Sequence, residues 1–159
     1  MMQYTNEGRT TVFWDEEHVG IAERPAIANR PYVLVVDDDP AITSVVMLTL
    51  EMEDYAGLSI SDGQQVLPFL YQIEADATRH MPAVILLDLM MPGLSGYEVA
   101  AMLARHPGFA CIPIIIMTAD YRVRTASAVP GATDLLSKPF PVSVLLTKLE
   151  PYLSCVPCT

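Results

Sequence analysis

Ala83-Val84-Ile85-Leu86-Leu87-Asp88-Leu89-Met90-Met91-Pro92-Gly93 is the stretch on which the fold turns. From Ala83 to Leu87 there is no polar break, which suits a strand covered on both faces, as in a parallel sheet. The run ends on an aspartate, and Pro92-Gly93 then turns the chain. A carboxylate there stands at the carboxyl edge of a sheet, where open α/β sheets place their ligands. Aspartate also ends strands for reasons of turn geometry alone, so the neighbouring strands decide its meaning.

Three other apolar runs end on chemistry. Residues 32–36 lead into Asp37-Asp38-Asp39. Residues 112–117, interrupted by Pro113, lead into Thr118-Ala119. Residues 133–136 lead through Ser137 into Lys138-Pro139-Phe140. Four predicted strands thus bring an acid pair, an acid, a hydroxyl and an ammonium to one edge.

Between the strands the sequence reads as helices. Asp39-Pro40 starts one, with aspartate as cap and proline in the first turn. It runs to about residue 54 with Ile42, Val45, Val46, Thr49 and Met52 inward and Met47 pointing away. A second strand spans 56–60. Ser61-Asp62-Gly63 opens a helix to about residue 77, whose first half is irregular because Pro68 lacks a donor. Ser95 caps a helix to about Arg105, stopped by His106-Pro107-Gly108. Residues 121–129 read as a short helix ended by Pro130-Gly131. Pro141 starts the last, with Val142, Leu145, Leu146, Leu149 and Leu153 as its stripe and Val144 outward. This alternation predicts a doubly wound α/β fold: five parallel strands, helices on both faces, right-handed crossovers.

The 159 residues are enough for one domain with a real core, and 52% are hydrophobic. Residues 1–30 read as a mostly irregular N-terminal extension, in which Val12-Phe13-Trp14 has the apolar character to dock on the body. Residues 31–153 form the domain and 154–159 a tail. The net charge of −10, from 9 basic and 19 acidic residues, argues against direct nucleic-acid binding and against an anionic membrane surface. No apolar run is long enough to span a bilayer, and residues 1–30 lack a signal-peptide pattern, so a cytoplasmic protein is expected. The 3 cysteines do not make a disulfide framework. Cys155-Val-Pro-Cys158 lacks the second pair or nearby histidine of a metal site.

Crowded at one edge, Asp37, Asp38 and Asp88 repel one another, and at least one takes a raised pKa unless cations intervene. A divalent cation and Lys138 remove the conflict. Oxygen ligands with room for water suit Mg²⁺, which serves phosphates through one or two carboxylates. A carboxylate is also a competent nucleophile toward a phosphoryl group, and the Thr118 hydroxyl can bond a phosphoryl oxygen. Asp39 is read as a helix cap only. His18, His80 and His106 have no metal-ligand spacing and receive no role.

Taken together, Val35-Val36-Asp37-Asp38-Asp39-Pro40, Leu87-Asp88-Leu89-Met90-Met91-Pro92-Gly93, Met117-Thr118-Ala119 and Lys138-Pro139-Phe140 resemble the receiver domain of two-component response regulators over about residues 31–153. The resemblance implies a flavodoxin-like fold with strand order 2-1-3-4-5. It implies Asp88 as phosphoacceptor, Thr118 as switch hydroxyl and Lys138 as phosphate contact. It implies Mg²⁺ held by Asp38, Asp88 and the Met90 backbone carbonyl, with Asp37 helping through water, and a cis Lys138-Pro139 bond. The phosphoryl group would come from a histidine kinase or histidine phosphotransfer protein. Two departures stand out. Leu135 occupies the position where the family usually has an aromatic switch residue, and the 121–130 segment is short for the family's fourth helix.

With no output domain read after Leu153, the expectation is a single-domain module that signals to a downstream protein. It would be no enzyme beyond Mg²⁺-dependent self-phosphorylation and dephosphorylation at Asp88. Val144 and the last helix offer a surface for a homodimer. Two alternatives stay open at this point. One is a receiver-fold interaction module that acts without phosphorylation. The other is a phosphatase of the haloacid-dehalogenase type with Asp37-x-Asp39 as its nucleophile motif, which lacks the acidic pair that family needs after the lysine.

Overall fold

β-branched and leucine-rich runs become strands here because both of their faces are covered. In the computed structural model, which describes residues 3–6, 9–12 and 30–154, the core strands are β3 (Tyr32–Val36), β4 (Ala56–Ile60), β5 (Val84–Asp88), β6 (Ile114–Thr118) and β7 (Asp134–Ser137). They pair in parallel in the order β4-β3-β5-β6-β7, which is the expected 2-1-3-4-5. A hairpin that the sequence reading did not anticipate, β1 (Gln3–Asn6) and β2 (Arg9–Val12), extends the sheet beyond β4, with Val12 opposite Leu58. Phe13, Trp14, Cys155 and Cys158 lie outside the described residues.

Side chains alternate strictly between two cores, as a period of two requires. Leu34, Val36, Ile85, Leu87, Ile114 and Ile116 face one. Val33, Val35, Val84, Leu86, Ile115 and Met117 face the other. The first core is closed by α2 (Val66–Glu74) and α3 (Gly96–Arg105), the second by α1 (Pro40–Met52) and α4 (Val142–Leu153). Each such side chain contributes roughly 1.5–3 kcal/mol by leaving water.

The helix starts follow the sequence closely. Asp39 caps α1, its side chain accepting from the Ala41 amide at 2.8 Å. Ser95 caps α3 in a reciprocal box with Glu98. The irregular entry expected around Pro68 is a 3₁₀ turn, Gly63–Gln65, leading into α2. Pro68 then falls in the first turn, where no amide partner is needed. The helix ends at Glu74, short of residue 77.

Two expectations fail, one of them in part. The first is the inward face of α1, where Val46 and Thr49 are buried as expected but Val45 and Met52 are not. Val46, Met47, Thr49 and Leu50 are buried, whereas Val45, Leu48 and Met52 are 52%, 57% and 73% exposed. The helix is apolar nearly all round, so periodicity offers two competing stripes. Strand β4 chooses between them: at Gly57 a methyl group would stand 2.8 Å from Leu50 Cδ1 and 3.1 Å from Met47 Sδ. The bare glycine leaves the slot that Met47 and Leu50 fill.

The second failure is the helix over 121–129. Among the described residues this segment holds only a 3₁₀ turn, Ala126–Ala128. Its buried anchors, Val123 and Val129, are not at a spacing that shares a helix face. Asp120 takes the Arg122 amide at 2.9 Å in a side-chain turn, and the Thr125 and Ser127 hydroxyls bond each other at 2.9 Å; such local bonds compete with a helix. In α4 the stripe is narrower than expected, since Leu145 and Leu149 are buried but Val142 is exposed, while Val144 faces outward as expected. No helix among the described residues is long and apolar enough to cross a membrane.

Candidate functional site

Strand register alone gathers the polar groups. Val36 lies opposite Leu87, Asp88 opposite Met117, and Thr118 opposite Ser137. One step beyond those pairs stand Asp37 and Lys138. The parallel strands therefore end level, and Asp37, Asp88, Thr118 and Lys138 meet at one carboxyl edge.

Asp37 and Asp88 are 1% and 5% exposed, while Asp38 is open to solvent. The Lys138 ammonium donates to Asp37 Oδ2 at 2.7 Å and to Asp88 Oδ1 at 3.2 Å. The other Asp37 oxygen accepts the Asp39 amide at 2.9 Å. The Lys138-Pro139 bond is cis, and the Lys138 amide donates to the Thr118 carbonyl at 2.8 Å, which ties β7's end to β6's. Thr118 is buried, and its hydroxyl accepts from the Asp120 amide at 3.0 Å. That leaves the hydroxyl proton free to be donated.

The electrostatics are strained. Burial raises the Asp88 carboxyl above its ordinary value, and the nearby Asp37 charge adds to this while Lys138 opposes it. Burial alone would lower the Lys138 ammonium, but its bonds to Asp37 and Asp88 outweigh that and raise it. Three carboxylates face one ammonium, so the cup carries an excess of negative charge. One oxygen each from Asp37, Asp38 and Asp88 lie within 4.8 Å of one another. An octahedral Mg²⁺ spans about 4 Å between opposite ligands, so the donor set fits a small hard cation that keeps some of its water.

A family model for the response regulator receiver domain matches residues 33–150. The chain belongs to that family. The receiver domain is 35% identical over 125 residues to the DNA-binding dual master transcriptional regulator RpaA of Synechocystis, covering 77% of this chain and 49% of that protein. It thus spans about half the length of the curated relatives it matches. Among solved structures it resembles a putative response regulator from Chloroflexus aurantiacus, with TM-score 0.68, 26% identity, and coverage of 79% of this chain and 99% of that one. It also resembles the receiver domain of the sensor histidine kinase PA1611 from Pseudomonas aeruginosa, with TM-score 0.65, 25% identity and the same coverage; that structure has magnesium coordinated in its active-site cleft.

The phosphatase alternative ends with this assignment. On that reading Asp37 is the nucleophile, yet it is buried with both oxygens engaged, and Asp39 caps α1. Leu135 is partly buried against the core under α2 and α3, so a smaller aliphatic group occupies the aromatic switch position. One contributor escaped sequence reading: the Asp39 amide that holds the Asp37 carboxylate. Backbone donors leave no side-chain signature.

Proposed function

We propose that this receiver domain takes a phosphoryl group on Asp88 from a phosphohistidine of a histidine kinase or histidine phosphotransfer protein. The single observation that supports it most is the meeting of Asp37, Asp88 and Lys138 at hydrogen-bond distance on the edge where the solvent-facing Asp38 also stands. An Asp88 carboxylate oxygen forms the new O–P bond as the donor's N–P bond breaks. The electron pair stays on the imidazole nitrogen, which takes a proton from water.

Asp38, Asp88 and the Met90 carbonyl would hold Mg²⁺, with Asp37 helping through water, and the ion would supply neutralising charge. Lys138 adds a further cation beside the transferred oxygens, and the Thr118 hydroxyl has a proton to donate to one of them. The acceptor is used stoichiometrically, so the protein acts as a phosphoprotein and not as an enzyme on a separate substrate.

Phosphorylation adds about −1.5 to −2 charges. Attraction of the Thr118 hydroxyl toward the phosphoryl group releases the Asp120 amide it now holds. The 119–133 segment and β7 then form the surface whose binding to a downstream protein changes. We place this exchange in the cytoplasm, with partner proteins and not nucleic acid as the direct targets. The test is transfer from a radiolabelled phosphohistidine donor. Label should move to wild type and not to Asp88→Asn; equal labelling of both would refute Asp88 as acceptor.

A further inference from the structure

The loop leaving Asp88 is gripped from two sides by residues without side chains. Gly96 opens α3 against the strand end. A methyl group there would stand 2.0 Å from the Asp88 carbonyl oxygen, 2.7 Å from Leu89 Cα and 2.8 Å from the Asp88 carbonyl carbon. These are backbone atoms, which cannot swing aside as a side chain can. The Gly96 amide donates to the Leu89 carbonyl at 3.1 Å, so the approach is a bonded one.

The second grip comes from a different crossover. Gly63 begins the turn after β4, and a methyl group there would stand 2.5 Å from the Leu94 carbonyl oxygen. Between the two contacts run residues 89–95, turned at Gly93 with φ 75°. This loop carries Met90, two residues beyond Asp88, whose carbonyl would join Asp88 in holding Mg²⁺.

We infer that Gly63 and Gly96 are positioning residues of the Asp88 site: by letting backbone close on backbone on both sides of loop 89–95, they fix the Met90 peptide in place beside the strand end that carries Asp88. Neither glycine touches a phosphoryl group or an ion; each acts through Met90. The inference rests on the Asp88-centred reading above and adds two residues to it, one of them on a separate element.

Gly57 provides a matched control. It is also buried, but a methyl there would meet side-chain ends, Leu50 Cδ1 and Met47 Sδ, in the core under α1. Gly57→Ala should therefore cost stability without disturbing the loop.

The experiment compares Gly63→Ala, Gly96→Ala and Gly57→Ala in the full chain by three measurements: thermal unfolding, hydrogen exchange of the position-96 amide that bonds the Leu89 carbonyl, and calorimetric titration with Mg²⁺. Moving a group that orients a ligand shell costs about 10–100-fold in metal affinity, and that loss is expected for Gly63→Ala and Gly96→Ala. Both should also lose protection of the position-96 amide at temperatures where they remain folded. Gly57→Ala should keep wild-type affinity and protection despite a lower Tm. If Mg²⁺ affinity tracks Tm equally in all three variants, the glycines are packing residues and the inference fails. Should Gly96→Ala not fold, Gly63→Ala decides, because the obstruction there is one carbonyl oxygen and two side-chain ends. If wild type binds no Mg²⁺, the site reading itself falls, while protection of the position-96 amide still judges the glycines.

Discussion

The Lys138 ammonium lies closer to Asp37 than to Asp88, at 2.7 Å against 3.2 Å. Resting Lys138 is therefore anchored mainly on Asp37, and Asp88 is the more loosely held carboxylate. That is a sensible division for a pair in which one acid holds the lysine and the other must take on a new bond. The anchor is also the more buried of the two.

Removing the lysine exposes the conflict it relieves. Truncating one partner of a buried pair costs about 3–5 kcal/mol, and Lys138→Met should fall at the lower end because the ammonium retains some solvent contact. Urea unfolding in a chelator reads the loss. Unchanged stability would mean that the ammonium does not hold the two acids in solution.

Asp38 should show stability and ion binding pulling apart. It is solvent-facing and adds to an already negative cup. Asp38→Asn is expected to leave chelator-treated protein equally or slightly more stable, by less than about 1 kcal/mol, and to weaken Mg²⁺ binding. In wild type, Mg²⁺ at a hundred times its Kd adds about 2.7 kcal/mol. At that same concentration the variant's gain in Tm should be clearly smaller. An equal gain would remove Asp38 from the ion site.

The setting of α1 has a sharp test in its methionines. Met47 is fully buried and Met52 is 73% exposed. Met47→Ala should cost about 2–5 kcal/mol, while Met52→Ala should stay within about 0.5 kcal/mol. Denaturant midpoints at constant m-value separate them. The reverse order would return the helix to the face its sequence first offered.

That face shows where sequence reasoning runs out. The strand–helix alternation, the caps at Asp39 and Ser95 and the level ends of β3, β5, β6 and β7 were legible because each rests on local pattern, while the strand order followed from the receiver-domain resemblance of the motifs. The choice between two apolar stripes on α1 was not, because it depends on Gly57 in a strand that the helix itself does not predict. The 121–129 segment misled for a related reason. Its composition allows a helix, but Asp120, Thr125 and Ser127 spend their hydrogen bonds locally. At the site, the side chains announced themselves, while the Asp39 amide and the bare Gly63 and Gly96 carry no side-chain signal.

Acid stability should report the pair linking β7 to α4. Burial pushes the Asp134 carboxyl up, but Lys148 at 2.7 Å and the Leu135 amide outweigh it and hold it below its ordinary value. A depressed folded pKa stabilises above the unfolded value and loses its contribution as pH falls through the folded one. Wild type should thus exceed Lys148→Met by up to about 1 kcal/mol near neutrality, given the exposure of the pair. The gap should close as pH drops below about 3.9. A gap that persists unchanged into strong acid would assign it to packing by the lysine stem.

The central claim is that Asp88 accepts a phosphoryl group in a cup completed by Asp37, Asp38, Thr118 and Lys138. Its most direct test is the intact mass of the protein after incubation with a small-molecule phosphodonor and Mg²⁺. The account predicts the mass of one phosphoryl group added to wild type, lost on chelation of the metal beforehand, and never seen in Asp88→Asn. No added mass in wild type, or the same addition in Asp88→Asn, would contradict it.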